Sequence, residues 1–172
     1  MRAMAEARIE HIFNCSEDTF WNKVFFDADY NKRLFREELA FPRWEEVSKE
    51  DKGDQIRRVI EIVPKMADLP GPLKKLAGDG VSYREEGIFD KKTRRYKVTI
   101  HPNRLSDKLF IKGELFTEPA GDNKCKRIYL ASVEAKVFGV GGMLEKRVIS
   151  DIQAGYDAGA RFTNKYLAEK GL

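Results

Sequence analysis

The segment "MLEKRVISDIQAGYDAGARFTNKYLAEKGL", residues 143–172, constrains the fold more than any other stretch. Leu144, Val148, Ile152, Gly155, Gly159, Phe162 and Tyr166 recur at three- and four-residue intervals, and charged residues fill much of the remainder. That period predicts a long amphipathic helix with one apolar stripe. The stripe needs a cover. The preceding chain offers one, because it reads as a series of short alternating segments, and an antiparallel sheet with one apolar face buries it against helices.

Seven strands are expected. In "AEARIEHIFN", Ala5, Ala7, Ile9, His11 and Phe13 share one side. "RWEEVS" leads to a turn at residues 51–54, and "QIRRVIEIV" sets Ile56, Ile60 and Ile62 together. "VSYREEGIF" aligns Val81, Tyr83, Glu85 and Phe89, and "RRYKVTI" aligns Tyr96, Val98 and Ile100. "KLFIKGELF" aligns Leu109, Ile111, Gly113 and Leu115. "RIYLASVEAKVF" aligns Tyr129, Ala131, Val133, Ala135 and Val137. Turn signals such as "DKKT" and "PAGDN" separate most of them, which predicts an antiparallel meander.

Two segments depart from this pattern. After the first strand, Ser16 is a good N-cap for "EDTFWNKVFFDADYNKRLFREEL", with a break or bend expected at residues 27–30. Between the third and fourth strands, "PKMADLPGPLKKLAGDG" holds three prolines and three glycines, yet also Met66, Leu69, Leu73 and Leu76. It is too apolar for a linker and reads as a lid or short helix folded over an opening.

The corner "KVFGVGGMLEKRV" places Gly139, Gly141 and Gly142 where the last strand meets the long helix. A dinucleotide fingerprint would need a third glycine at Leu144 and a following parallel strand, and a phosphate loop would end in Gly-Lys-Ser/Thr. Neither pattern is present, so the glycines are read as permitting a tight strand-to-helix corner.

Composition fits a soluble chain forming one domain over residues 1–172: hydrophobic residues make up 42% and charged residues 35%. No apolar run reaches the ~18 residues of a membrane span, and "MRAMAEARIEH" lacks an apolar signal core, so a cytoplasmic protein is expected. Cys15 and Cys125 lack metal-ligand spacing and are read as isolated reduced thiols. The net charge of +4 is mild, and the densest basic clusters, "KKTRR" and "KCKR", sit at turns. They read as solvated hairpin tips, with transient contact to an anionic membrane surface as the sharper alternative. Aromatics interleave with basic residues only where strand alternation explains it, so no nucleic-acid partner is expected.

The opening "ARIEHIFNCSEDTFWNKVFFDADYNKRLF" and the closing "VFGVGGMLEKRVISDIQAGYDAGARFTNKYL" resemble the START-like superfamily, which includes the birch-pollen-allergen fold. The likeness spans residues 5–167. It is similar in detail to small uncharacterised bacterial members and to the sterol-binding VASt domains. The resemblance implies an α+β helix-grip fold, in which a curved antiparallel sheet of about seven strands wraps a long C-terminal helix. It also implies an internal cavity for a lipid, sterol or polycyclic molecule, with no cofactor.

On that frame the expected lining is Ile9, Ile60, Tyr83, Phe89, Val98, Ile111, Leu115, Tyr129, Val133, Val148 and Ile152, with His11 and Glu85 as polar members. Met66, Leu69, Leu73 and Leu76 are the expected lid. Strand parity also turns Arg58, Arg127 and Tyr96 inward, although a one-residue slip would reverse this. Arg127, beside the "GDN" turn, is expected at the surface. A buried Glu85 would need Arg58, a ligand hydroxyl or a proton. Three function classes follow. The leading one is a carrier or sensor of an apolar ligand. The second is a cyclase- or hydratase-type enzyme using His11 and Glu85 as an acid–base pair. The third is a protein-interaction module of the same fold. No Ser-His-Asp, Cys-His or metal motif stands out.

Overall fold

The computed structural model describes residues 4–172; the part of the N-terminal signal-core reading that falls on residues 1–3 lies outside them. The chain forms β1 (Ala5–Phe13), β2 (Arg43–Asp51), β3 (Gln55–Val63), β4 (Tyr83–Asp90), β5 (Arg95–Pro102), β6 (Leu109–Pro119) and β7 (Cys125–Ala135). All pair antiparallel in one sheet of order β1-β7-β6-β5-β4-β3-β2. Four helices complete it: α1 (Glu17–Thr19), α2 (Ala28–Lys32), α3 (Gly71–Ala77) and α4 (Gly141–Lys170). Both α1 and α2 continue into π-helical turns, Phe20–Val24 and Arg33–Glu38. Among the described residues, no helix is long and apolar enough to cross a membrane.

Local signals explain the element ends. The Ser16 side chain caps α1, accepting from the Thr19 N–H at 3.1 Å. The expected break falls at Asp27, whose carboxylate caps α2 by accepting from the Tyr30 N–H at 2.8 Å. At the glycine corner only Gly139 requires a left-handed backbone, with φ +79°. Gly141 and Gly142 lie inside the first turn of α4. The corner is therefore a strand-to-helix junction, and the sheet holds no parallel strand pair for a nucleotide crevice.

Strand parity holds from β3 through β4, β5, β6 and β7 to β1, while the β2–β3 register shifts at a bulge between Glu46 and Ser48. Ile60, Glu85, Ile100, Ile111, Val133 and Ala5 form one continuous row on the inner face. The next row is Arg58, Gly87, Val98, Gly113, Ala131 and Ala7, followed by Ile56, Phe89, Tyr96, Leu115, Tyr129 and Ile9. Arg127 corrects its expected exposure. It sits on β7, flanked by β1 and β6 and covered by α4, and is 5% exposed.

The short helices and α4 share the work of covering this face. Phe20, Trp21, Val24, Tyr30 and Leu34 pack with Phe162, Tyr166 and Leu167 of α4 onto Ile9, Phe89, Val98, Leu115 and Tyr129. The N-terminal half of α4 packs Leu144, Val148, Ile149 and Ile152 onto Ile111, Val133 and Ala135. The buried hydroxyls in this interface are satisfied: the Thr163 hydroxyl donates to the Gly159 carbonyl at 2.6 Å, so the Tyr30 hydroxyl donates to Thr163 at 2.7 Å.

Candidate functional site

Gly87 and Gly113, two strands apart in one inner row, create room for tyrosine. A Cβ on Gly87 would lie 1.8 Å from the Tyr96 hydroxyl, and one on Gly113 would lie 2.0 Å from that of Tyr129. Each phenol therefore lies flat across its neighbouring strand. The Tyr96 hydroxyl accepts from Arg58 Nε at 3.2 Å. Tyr129 stacks on Tyr156 of α4, ring centroids 4.3 Å apart.

Arg58 is 4% exposed. Its guanidinium lies 4.8 Å from the Phe25 ring, 5.1 Å from Phe26 and 5.2 Å from Tyr96. Glu46 supplies a distant countercharge at 3.8 Å. Glu85 shares the inner face with Arg58, one row along. Burial raises the Glu85 carboxyl above its ordinary range, and the Arg58 charge offsets only part of this. Among the described residues, no ion pair joins the two.

Tyr83, Glu85 and Tyr156 combine two properties. Burial raises all three pKa values, Tyr83 and Tyr156 strongly. Each nevertheless keeps solvent-accessible surface. Tyr83 and Glu85 lie on the inner face of β4, and Tyr156 lies on α4 against Tyr129. Gly155, on the same side of α4 as Val148, faces open space: a Cβ there would meet nothing within 4 Å. Gly159, one turn on, meets Leu34 at 3.7 Å. Of the two helix glycines, one allows packing and the other borders empty volume.

The expected lining thus divides. Tyr83, Glu85, Val148 and Ile152 are partly buried. Ile60, Ile111 and Val133 are buried in or beside the Glu85 row. Ile9, Phe89, Val98, Leu115 and Tyr129 belong to the close-packed core that α1 and α2 fill. In the expected lid, Leu73 is buried, Leu69 and Leu76 are half-buried, and Met66 is 41% exposed. Arg147 of α4 ties this segment down by donating to the Asp68 carbonyl at 3.0 Å.

His11 and Glu85 do not form an acid–base pair. β1 and β4 are separated by β7, β6 and β5, and His11 lies six residues along β1 from Ala5, the residue in the Glu85 row. His11 is instead the centre of a latch. Its Nδ1 accepts from Arg127 at 3.1 Å, which fixes the proton on Nε2, and Nε2 donates to Asp157 at 2.7 Å. Arg127 also donates to the Tyr156 carbonyl and lies between the Phe13 and Tyr156 rings.

Sequence reading missed Tyr156, because its position beside Gly155 sits off the chosen stripe. It also read Cys15 and Cys125 as isolated. They are buried neighbours, brought together by the pairing of Phe13 with Cys125.

A curved antiparallel sheet gripping a long C-terminal helix defines the helix-grip class of the birch-pollen-allergen type. Within that class the chain belongs to the family described as "Protein of unknown function (DUF2505)", whose model matches residues 8–167. No curated protein matches the sequence. Among solved structures, TTHA0849 from Thermus thermophilus is similar at 17% identity and TM-score 0.67, covering 98% of this chain and 100% of its own. The Zhui aromatase/cyclase from Streptomyces sp. R1128 follows at 11% identity and TM-score 0.66, covering 95% and 96%. A norcoclaurine synthase mutant from Thalictrum flavum has 18% identity and TM-score 0.63, covering 96% and 99%. At these identities the likeness establishes the fold.

Proposed function

We propose that this protein encloses an apolar small molecule between α4 and the β3–β5 half of the sheet, as a carrier or sensor. The observation that carries this reading is the open space beside Gly155 on α4, where a Cβ would meet nothing within 4 Å, with half-buried Tyr83 and Glu85 on the inner face of β4 and half-buried Tyr156 next to Gly155 on α4. Ligand sites are largely apolar with a few placed polar groups. Ile60, Ile100, Val148 and Ile152 supply the apolar wall here, and Glu85 with the tyrosine hydroxyls supplies orientation. Burying ligand area contributes roughly 25 cal/mol per Å² before the costs of association. The segment bearing Leu69, Leu73 and Leu76 acts as the lid.

A second reading has one specific observation in its favour. A carboxyl raised by burial at the edge of a concavity is suited to general acid–base work, and Glu85 is such a group. Two of the structural neighbours are an aromatase/cyclase and a norcoclaurine synthase. In this reading Glu85 acts without His11.

Native mass spectrometry of the purified protein, followed by extraction of any co-purifying molecule, tests the carrier reading. A panel of fatty acid, sterol and polycyclic aromatic compounds extends it, the sterol being included because of the VASt-like closing motif. The carrier reading predicts a bound apolar compound. Turnover then separates the two readings: a carrier returns its ligand chemically unaltered in wild type and Glu85→Gln alike, whereas an enzyme transforms it in wild type and loses that turnover in Glu85→Gln.

A further inference from the structure

Three connecting segments leave the sheet at one end. Pairing of Arg43 with Val63, Tyr83 with Pro102 and Leu109 with Ala135 places residues 64–82, 103–108 and 136–140 together there, beside the start of α4. Direct contacts bind them to one another. The Arg104 guanidinium lies against Gly78, the Lys136 N–H donates to the Lys108 carbonyl at 2.7 Å, and Arg147 reaches Asp68.

Large apolar side chains stand out from this end. Phe138 is 105% exposed and Met143 45% exposed, with Met66 on the neighbouring segment. Basic groups outnumber acids on these segments, with Lys65, Lys74, Lys75, Arg104, Lys108 and Lys136 against Asp68, Asp79 and Asp107. Lys108 and Lys146 are exposed and form no ion pair among the described residues, and Lys136 makes only a loose 3.9 Å contact with Glu134. The opposite end of the sheet contrasts with this. There most of the basic "KKTRR" tip is paired, with Lys91 held by Asp51, Arg94 by Asp18 and Arg95 by Glu114.

We propose that the Phe138 end docks on an anionic lipid bilayer, with Phe138 entering the interfacial region and Lys108, Lys136 and Lys146 meeting headgroups. Exposed aromatic and apolar side chains accompanied by lysine are the chemistry that a negatively charged interface attracts. The apolar groups project singly from separate segments. A fluid surface accommodates such projections, whereas a folded partner needs a matched pocket. The docking residues Phe138, Lys108, Lys136 and Lys146 are separate from the residues assigned to the ligand wall, although the lid segment emerges at the same end.

Flotation with vesicles of about 30% phosphatidylserine in phosphatidylcholine, compared with phosphatidylcholine alone, tests it. Binding to the anionic vesicles only, weakened by salt, is expected. Phe138→Ser should lower the partition coefficient by about tenfold, and joint replacement of Lys108, Lys136 and Lys146 by Glu should abolish binding. Lys91→Glu with Lys92→Glu at the far tip is the control and should leave it intact. Phe138 packs on nothing, so its serine variant folds. Equal binding by Phe138→Ser, equal binding to neutral vesicles, or retention on heparin without vesicle binding would each overturn the proposal.

Discussion

The Tyr96 phenol occupies the space that a side chain at Gly87 would take, and its hydroxyl receives the Arg58 Nε–H there. Tyr129 and Gly113 repeat the arrangement two strands away. These pairs set how deep the sheet's inner face is at its centre. Gly87→Ala must displace Tyr96 and uncouple Arg58, so it should destabilise the fold by about 1–3 kcal/mol. Thermal unfolding followed by circular dichroism measures this. An unchanged midpoint would show that the phenol moves at no cost.

Gly155 should behave in the opposite way. Its neighbourhood is open and its backbone helical, so Gly155→Ala should stabilise by about 0.5–1 kcal/mol through helix propensity and reduced freedom of the unfolded chain. Chemical denaturation gives the number. Destabilisation would place a neighbour where the structure has space.

Glu85 gives a pH signature. Its folded-state pKa is raised, so between the ordinary value of 4.5 and the raised one the folded protein holds the extra proton. Stability should therefore fall as pH rises through that window. Glu85→Gln should remove this component and raise the melting temperature at neutral pH by about 2–4 °C. Melting curves across pH 4–8 for both proteins check it. Parallel profiles would mean that the carboxyl is solvated.

The His11 latch has the reverse slope. Burial, followed by the Arg127 charge, holds the imidazole below its ordinary 6.5, despite the Asp157 contact. The unfolded chain then takes up the proton first, so the latch's contribution is lost as pH falls from 6.5 through the folded value. Amide exchange along β1 and the middle of α4 should quicken as the solution is acidified, and His11→Gln should flatten that response. Exchange that is insensitive to pH in this range, beyond the intrinsic chemical rate, would contradict it.

Cys15 and Cys125 are both fully buried and in mutual contact. The neighbouring Cys15 thiol, and then burial, push Cys125 upward, while the Cys125 contact lowers Cys15, so burial is what shields the pair. Native protein should therefore alkylate slowly with iodoacetamide and react at both sites after unfolding, as read by intact mass. Rapid labelling of the native state would show that the β1–α1 junction opens.

The strands were legible because each alternates with period two and one face is covered, so that even the inward charges Arg58 and Glu85 followed from parity. The N-cap at Ser16 and the break near Asp27 were legible from local chemistry. The site was less so. Whether an inward side chain meets a ligand space or another side chain depends on what stands opposite, and periodicity carries no such information. Ile9 and Leu115 share the parity of residues near the opening, yet face Phe20 and Trp21 rather than empty volume. The His11 latch also needed the third dimension, since Asp157 lies 146 residues away.

Filling the space at Gly155 tests the ligand site most directly. Tryptophan at Val133, which is 0% exposed, would overpack the core, whereas phenylalanine at position 155 enters open volume. Titration of an apolar fluorescent probe into wild type and Gly155→Phe, with melting temperatures measured alongside, is the experiment. The helix-grip concavity predicts saturable uptake by wild type and at least about tenfold weaker uptake by a variant that remains folded. Undiminished uptake by folded Gly155→Phe, or no uptake by wild type, would mean that no ligand lies between α4 and the sheet.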